Sequence, residues 1–161
     1  IPVHLMYFTL RVDPDGTIWC RVPHHARFAY FADPDKTAAA WRDDAFTVGD
    51  LGRLDADGYL YLDGRRSDLI ISGGVNVYPL EVEQVLGAHP GVRDVAVFAL
   101  PDEQWGQRVC AAVVGPATEA DLTAYAREHL APPKRPKTWT FLDELPRTLT
   151  GKLQRDHLSA P

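Results

Sequence analysis

The sequence predicts an α+β fold in two parts: a β-rich segment over residues 1–66 and a small unit over residues 67–161 whose helices pack against a small sheet. Two observations carry this. In the first third, β-prone runs flank clusters of turn-forming residues, and Asp57-Gly58 is among the strongest short hairpin signals. After Arg66 the pattern changes to strand-like and helix-like stretches in the order ββαββαβα.

Taken in order, "HLMYFTLRV" and "TIWCRVP" surround Asp13-Pro14-Asp15-Gly16 and read as a strand, a turn and a strand. "DPDKTAAAWRDDAF" reads as a short exposed helix or loop, since Asp33-Pro34 suits a helix start and the alanines favour helix. "DLGRLDADGYLYLDGR" alternates around Asp57-Gly58 as a second hairpin. "DLIISGGVNVYP" is an apolar, hairpin-like run broken by Gly73-Gly74. Pro79 then opens a helix with apolar residues at 82, 85 and 86 and acids Glu81 and Glu83 in its first turn, ending between Gly87 and Gly91. "VRDVAVFAL" and "RVCAAVVG" are strands joined by the loop "PDEQWGQ". Thr118 caps the next helix, with Asp121 three residues on as an approximate capping box, and Pro132-Pro133 ends it. "TWTFLDEL" gives a last strand and "LQRDHL" a short last helix. The smaller unit is thus a three-stranded-type sheet with a hairpin and flanking helices.

With 161 residues, 45% hydrophobic and 24% charged, the chain has an ordinary globular composition and length for one or two small domains. A formal charge of -5 and a pI near 5.6 argue against a dedicated nucleic-acid binder and favour small-molecule or protein partners. No apolar run approaches the ~20 residues of a membrane span and no signal-peptide pattern is present, so the expected location is cytoplasmic. Cys20 and Cys110 stand far apart without a CxxC pattern, which suggests two inert core thiols rather than a zinc site or a disulfide framework. The opening "IPVHLMYFTLRV" starts directly in a strand-like run without an initiator methionine, the expectation for a piece of a longer protein.

Several residues invite a chemical reading beside a structural one. Asp50 follows a glycine at the start of the second hairpin; it is either a strand-end aspartate or an acceptor for two vicinal hydroxyls, as on a ribose. Arg65, at the far end of that hairpin, is a surface arginine or a donor to a ribose or phosphate oxygen. Gly73-Gly74 marks a plain turn or a place where a ligand approaches the backbone. Lys134, Arg135 and Lys137 form the densest positive stretch, either solvated or suited to a diphosphate. Trp105 is a platform for a ligand or folds back on the sheet. Lys152, after Thr150-Gly151, reads as a lysine presented by a flexible loop, with a solvated helix start as the plain alternative.

In order and spacing, "FTVGDLGRLDADGYLYLDGRRSDLIISGGVNVYPLEVEQVL", "VRDVAVFALPDEQWGQRVCAAVV", "PKRPK" and "LPRTLTGKLQRD" resemble the adenylate-forming superfamily of acyl-CoA synthetases, aryl-CoA ligases, luciferases and adenylation domains. The resemblance covers residues 13 to 158. It implies that residues 1–66 are the last β subdomain of a large N-terminal adenylation domain and that 67–161 are its C-terminal lid domain. It further implies that Asp50 binds the ribose of ATP, that Arg65 contacts the nucleotide, that Lys152 is the catalytic lysine, and that Ser67 is the hinge. Gly73 and Gly74 then line the pantetheine channel, and Trp105, Lys134, Arg135 and Lys137 lie where CoA is held.

Departures from the family pattern are Val48 for the usual threonine, Val75 for a glutamate or tyrosine, Ser67 for aspartate or lysine, and Pro133 for an aromatic. The phosphate-gripping loop and the acyl pocket of the family are absent from these residues. The implied activity is a two-step acid:CoA ligase using ATP, CoA and Mg2+, with the metal's ligands outside this sequence and the chain alone inactive. Transfer to an acyl carrier protein, or a structural or interaction module keeping the lid fold, are the alternatives.

Overall fold

A computed structural model describes residues 9–158. They form two compact units, divided between Ser67 and Asp68.

In the first unit, β1 (Thr9–Val12) and β2 (Ile18–Arg21) pair antiparallel. The turn between them is set by Asp15, whose carboxylate accepts the Thr17 N–H at 3.0 Å. The earlier residues of the expected first strand, 4–8, lie outside the described residues. Helix α1 (Pro34–Ala40) starts as its chemistry predicts: the Asp33 side chain accepts the Lys36 N–H at 2.9 Å, and Pro34 occupies the first turn, where its missing donor costs nothing.

Two strands not foreseen follow, β3 (Trp41–Arg42) and β4 (Ala45–Phe46), completing a sheet in the order β1-β2-β4-β3. At two residues each they are too short to show a period. Their placement comes from packing, since Phe28, Trp41 and Phe46 meet with ring centroids 5.1–5.5 Å apart. The second hairpin is β5 (Asp50–Leu54) with β6 (Leu60–Arg65), its register shifted once between Leu51 and Gly52. Leu51 is buried and bridges to Thr17, tying the two hairpins together.

The second unit is a five-stranded sheet with two helices. Strands β9 (Asp94–Asp102), β10 (Gly106–Val114) and β11 (Thr138–Phe141) form its body; β9 is antiparallel to β10 and β11 parallel to it. The hairpin of β7 (Ile70–Ser72) and β8 (Val75–Val77) joins β10 through the Ser72–Gly106 pair. Both long strands run further than their apolar cores suggested, so the expected loop "PDEQWGQ" contracts to residues 103–105.

Helices α2 (Pro79–Gly87) and α3 (Glu119–His129) cover one sheet face. Val82, Leu86 and Leu122 are fully buried there with Val97, Val109 and Val113, each worth about 1.5–3 kcal/mol of transfer free energy. The Thr118–Asp121 capping box is present in both directions. On the other face Leu145 and Leu158 bury against Phe98, Cys110 and Ala112, with Leu153 half-buried beside them. The expected last helix is a single 3-10 turn, Arg155–His157.

Cys110 is buried in β10 and burial pushes its thiol pKa up. Cys20 departs from the core-thiol expectation: on the short β2 it is only half-buried.

Candidate functional site

In the first unit the hairpin brings two of the expected residues together. Asp50 and Arg65 are register partners across β5 and β6, and the Arg65 Nε donates to Asp50 Oδ1 at 3.1 Å. The guanidinium therefore fixes the carboxylate's direction at a half-exposed place. Val48, in the loop before them, is exposed, while the Thr47 hydroxyl accepts the Gly49 N–H at 3.1 Å and shapes the approach to Asp50.

In the second unit Lys152 sits on a tight hairpin turn. Arg147 and Leu153 form an antiparallel bridge, the Thr148 N–H donates to the Lys152 carbonyl at 2.8 Å, and the Gly151 N–H to the Thr148 carbonyl at 2.8 Å. The Thr148 hydroxyl accepts the Lys152 N–H at 3.1 Å. Gly151 takes φ +81°, a left-handed angle that closes the turn and that a side chain would oppose. Short-range backbone pairing, which composition does not reveal, gives the loop that carries Lys152 a defined shape. Lys152 itself is exposed.

Gly73 and Gly74 form the β7–β8 turn with φ +58° and +78°. Gly73 also has a steric reason to lack a side chain: a Cβ there would come within 2.7 Å of Trp105 Cε3. The Trp105 ring lies over this turn. The Trp105 carbonyl accepts the Gly73 N–H at 2.9 Å, and Lys137 Nζ lies 4.1 Å from a ring centroid. Gly73, Trp105 and Lys137 consequently share one place.

The other two cations of the basic stretch are engaged elsewhere. Lys134 pairs with both Glu81 oxygens at 2.5 and 2.7 Å. Arg135 donates to the Leu130 and Arg127 carbonyls at 2.8 and 3.0 Å, capping the end of α3. Ser67 ends the first unit.

Arg147, Asp94, Arg155, Glu83 and Asp68, which brace the lysine hairpin, were not anticipated. Their contacts span 53 to 87 residues of sequence, and local pattern carries no sign of such partners. Among the described residues no group of three or more His, Cys, Asp or Glu side chains could hold a metal. Likewise no described helix is long and apolar enough to cross a membrane.

Residues 81–152 match the family described as the AMP-binding enzyme C-terminal domain. The chain belongs to the adenylate-forming superfamily.

A 2-succinylbenzoate–CoA ligase of Bacillus mycoides is 43% identical over 162 residues, covering 92% of this chain and 33% of that protein. An indoleacetate–CoA ligase of Aromatoleum aromaticum is 45% identical over 145 residues, covering 88% and 28%. The o-succinylbenzoate CoA synthetase of Bacillus subtilis, in complex with its acyl-adenylate intermediate, superposes with a TM-score of 0.88 at 37% identity, covering 98% of this chain and 34% of that one. The same enzyme has been solved with ATP and magnesium ion, at a TM-score of 0.86, 37% identity, and 96% and 34% coverage. The chain spans about a third of the length of these relatives.

Proposed function

We propose that this chain supplies the C-terminal part of a cytoplasmic, ATP-dependent acid:CoA ligase, in which a carboxylate and ATP give an acyl-adenylate and pyrophosphate and CoA then displaces AMP. The observation that carries this reading is the pre-shaped hairpin presenting Lys152. As a carboxylate attacks the α-phosphorus, negative charge gathers on the attacking and phosphoryl oxygens. A cation brought there stabilises the transition state more than the ground state, and a rigid support avoids reorganisation at that moment.

In this reading residues 1–66 complete the large nucleotide-binding domain and 67–161 form the lid. Asp50, oriented by Arg65, accepts the two ribose hydroxyls of ATP, and Arg65 contacts the nucleotide nearby. The Gly73-Gly74 turn and Trp105 border the path of the pantetheine arm, with Lys137 and the neighbouring Lys134 and Arg135 on the side of the CoA phosphates. For those last two to meet a phosphate directly, Lys134 must exchange Glu81 and Arg135 must exchange its carbonyl partners. Ser67 is the hinge about which the lid turns between the two half-reactions. Mg2+ would neutralise ATP's phosphates, and the described residues offer it no group of three or more His, Cys, Asp or Glu side chains.

CoA, rather than a carrier protein, is the acceptor named in the relatives above. The test is ATP–pyrophosphate exchange by the full-length protein with a panel of carboxylic acids that includes 2-succinylbenzoate and indoleacetate. Exchange with at least one acid, followed by CoA-dependent release of AMP, is the expected result; silence across the panel would sink the reading.

A further inference from the structure

The proposed reaction makes no direct use of Arg155, yet its guanidinium is fully engaged. Nε donates to the Val97 carbonyl at 3.0 Å, one terminal nitrogen to Asp68 at 3.1 Å, and the other to Glu83 Oε1 at 2.6 Å. Glu83 Oε1 also accepts the Val97 N–H at 2.8 Å. Both backbone groups of Val97 are thus held by the Arg155–Glu83 pair, on the side of β9 away from β10. Side chains here do for that edge what a neighbouring strand would do. The pair is mostly shielded, with Glu83 only 13% exposed, so its charge-assisted bonds fix geometry better than a surface pair would.

Arg155 follows Lys152 by three residues, on the outgoing leg of the lysine hairpin. The incoming leg has its own tie: Arg147 donates to Asp94 at 2.8 Å and to the Gly151 carbonyl at 3.1 Å. Both legs are therefore fastened to β9, one at its first residue and one at its middle. Asp68, the first residue of the second unit, joins the same clamp.

From this we infer that Arg155 is a positioning residue for Lys152: it locks the outgoing leg of the hairpin to β9, α2 and the start of the unit, so that the ammonium is carried at a fixed place. The inference rests on the reading of Lys152 as the catalytic lysine. A merely structural arginine would support the unit as a whole; a positioning one acts on the lysine's half-reaction alone.

Amide hydrogen exchange over residues 147–153 and both half-reactions, measured on the full-length protein and its Arg155→Gln variant, test this, together with a double-mutant cycle against Lys152→Ala. Hairpin exchange should accelerate roughly tenfold or more while β10 keeps its protection. Adenylation kcat should fall about 10–100-fold, the scale of a small misplacement, with KM for ATP little changed and thioester formation from preformed adenylate intact. Arg155→Gln should add nothing to Lys152→Ala. Arg155→Lys, which keeps the charge but loses the fork, should recover only part of the rate.

Should Arg155→Gln not fold, Glu83→Gln serves: it keeps an acceptor for the Val97 N–H, drops the charge, and should give a milder change in the same direction. Unchanged hairpin exchange, equal loss in both half-reactions, or effects that multiply with Lys152→Ala would each overturn the clamp. If the wild type adenylates no acid, the functional reading fails, and hairpin exchange by itself then upholds or overturns the clamp.

Discussion

Lys152 carries the sharpest residue-level expectation. Lys152→Ala in the full-length protein should slow adenylation by about 100-fold or more, the scale of removing one preorganised charge-stabilising group, while thioester formation from preformed adenylate is spared. Pyrophosphate exchange and single-turnover thioester assays separate the two, and equal loss in both would contradict the role. Gly73 makes a second test, on stability. Gly73→Ala places a methyl group 2.7 Å from the Trp105 ring at a left-handed backbone angle, and should cost about 1–3 kcal/mol in denaturant unfolding and shift the Trp105 indole N–H resonance. Trp105→Leu in the same background should recover part of that cost, leaving the backbone strain. The two positions differ in how far sequence could reach. Thr150-Gly151 pointed to a loop that presents Lys152, but the glycine–tryptophan contact joins residues 32 apart and no local pattern announces it.

At the scale of elements, legibility followed local chemistry. Helices α1, α2 and α3 begin where Asp33-Pro34, Pro79 and Thr118 place them, since capping is settled within one turn. The parallel pairing of β11 with β10, the two-residue strands beside Trp41, and the Arg155 clamp depend on distant partners and left no local trace. The capping box of α3 gives a pH test of this distinction. The Thr118 hydroxyl and backbone N–H hold the Asp121 carboxyl below its ordinary pKa. A carboxyl depressed on folding contributes stability above its unfolded value, about 3.9, and loses it as pH falls through the folded one. The stability difference between wild type and Asp121→Asn should therefore be present at about pH 5–7 and close below about pH 4 in thermal unfolding. Thr118→Ala should cost about 1 kcal/mol at neutral pH. A difference with Asp121→Asn that persists at low pH would assign the effect to something other than the ionised cap.

For the molecule as a whole, the chain divides into two compact units between Ser67 and Asp68. In the proposed reaction Lys152 serves adenylation and Gly73, Trp105 and Lys137 serve thioester formation, with the second unit turning between the two steps. Such a turn would be absorbed by a few backbone angles, and Ser67 is the hinge proposed for it. Proline there fixes φ near −65° and restricts Arg66 before it, narrowing the angles available on both sides of the joint. Ser67→Pro should therefore trap one arrangement: one half-reaction continues near its wild-type rate, the other falls roughly tenfold or more, and overall turnover follows the slower. Ser67→Ala, which lacks the ring, should leave both rates close to wild type. Half-reaction kinetics on the two variants, with thermal unfolding to show that both fold, decide the matter. If Ser67→Pro spares both half-reactions, the units turn about some other residue; if it abolishes both in a folded protein, Ser67 acts in the chemistry itself and not as a hinge.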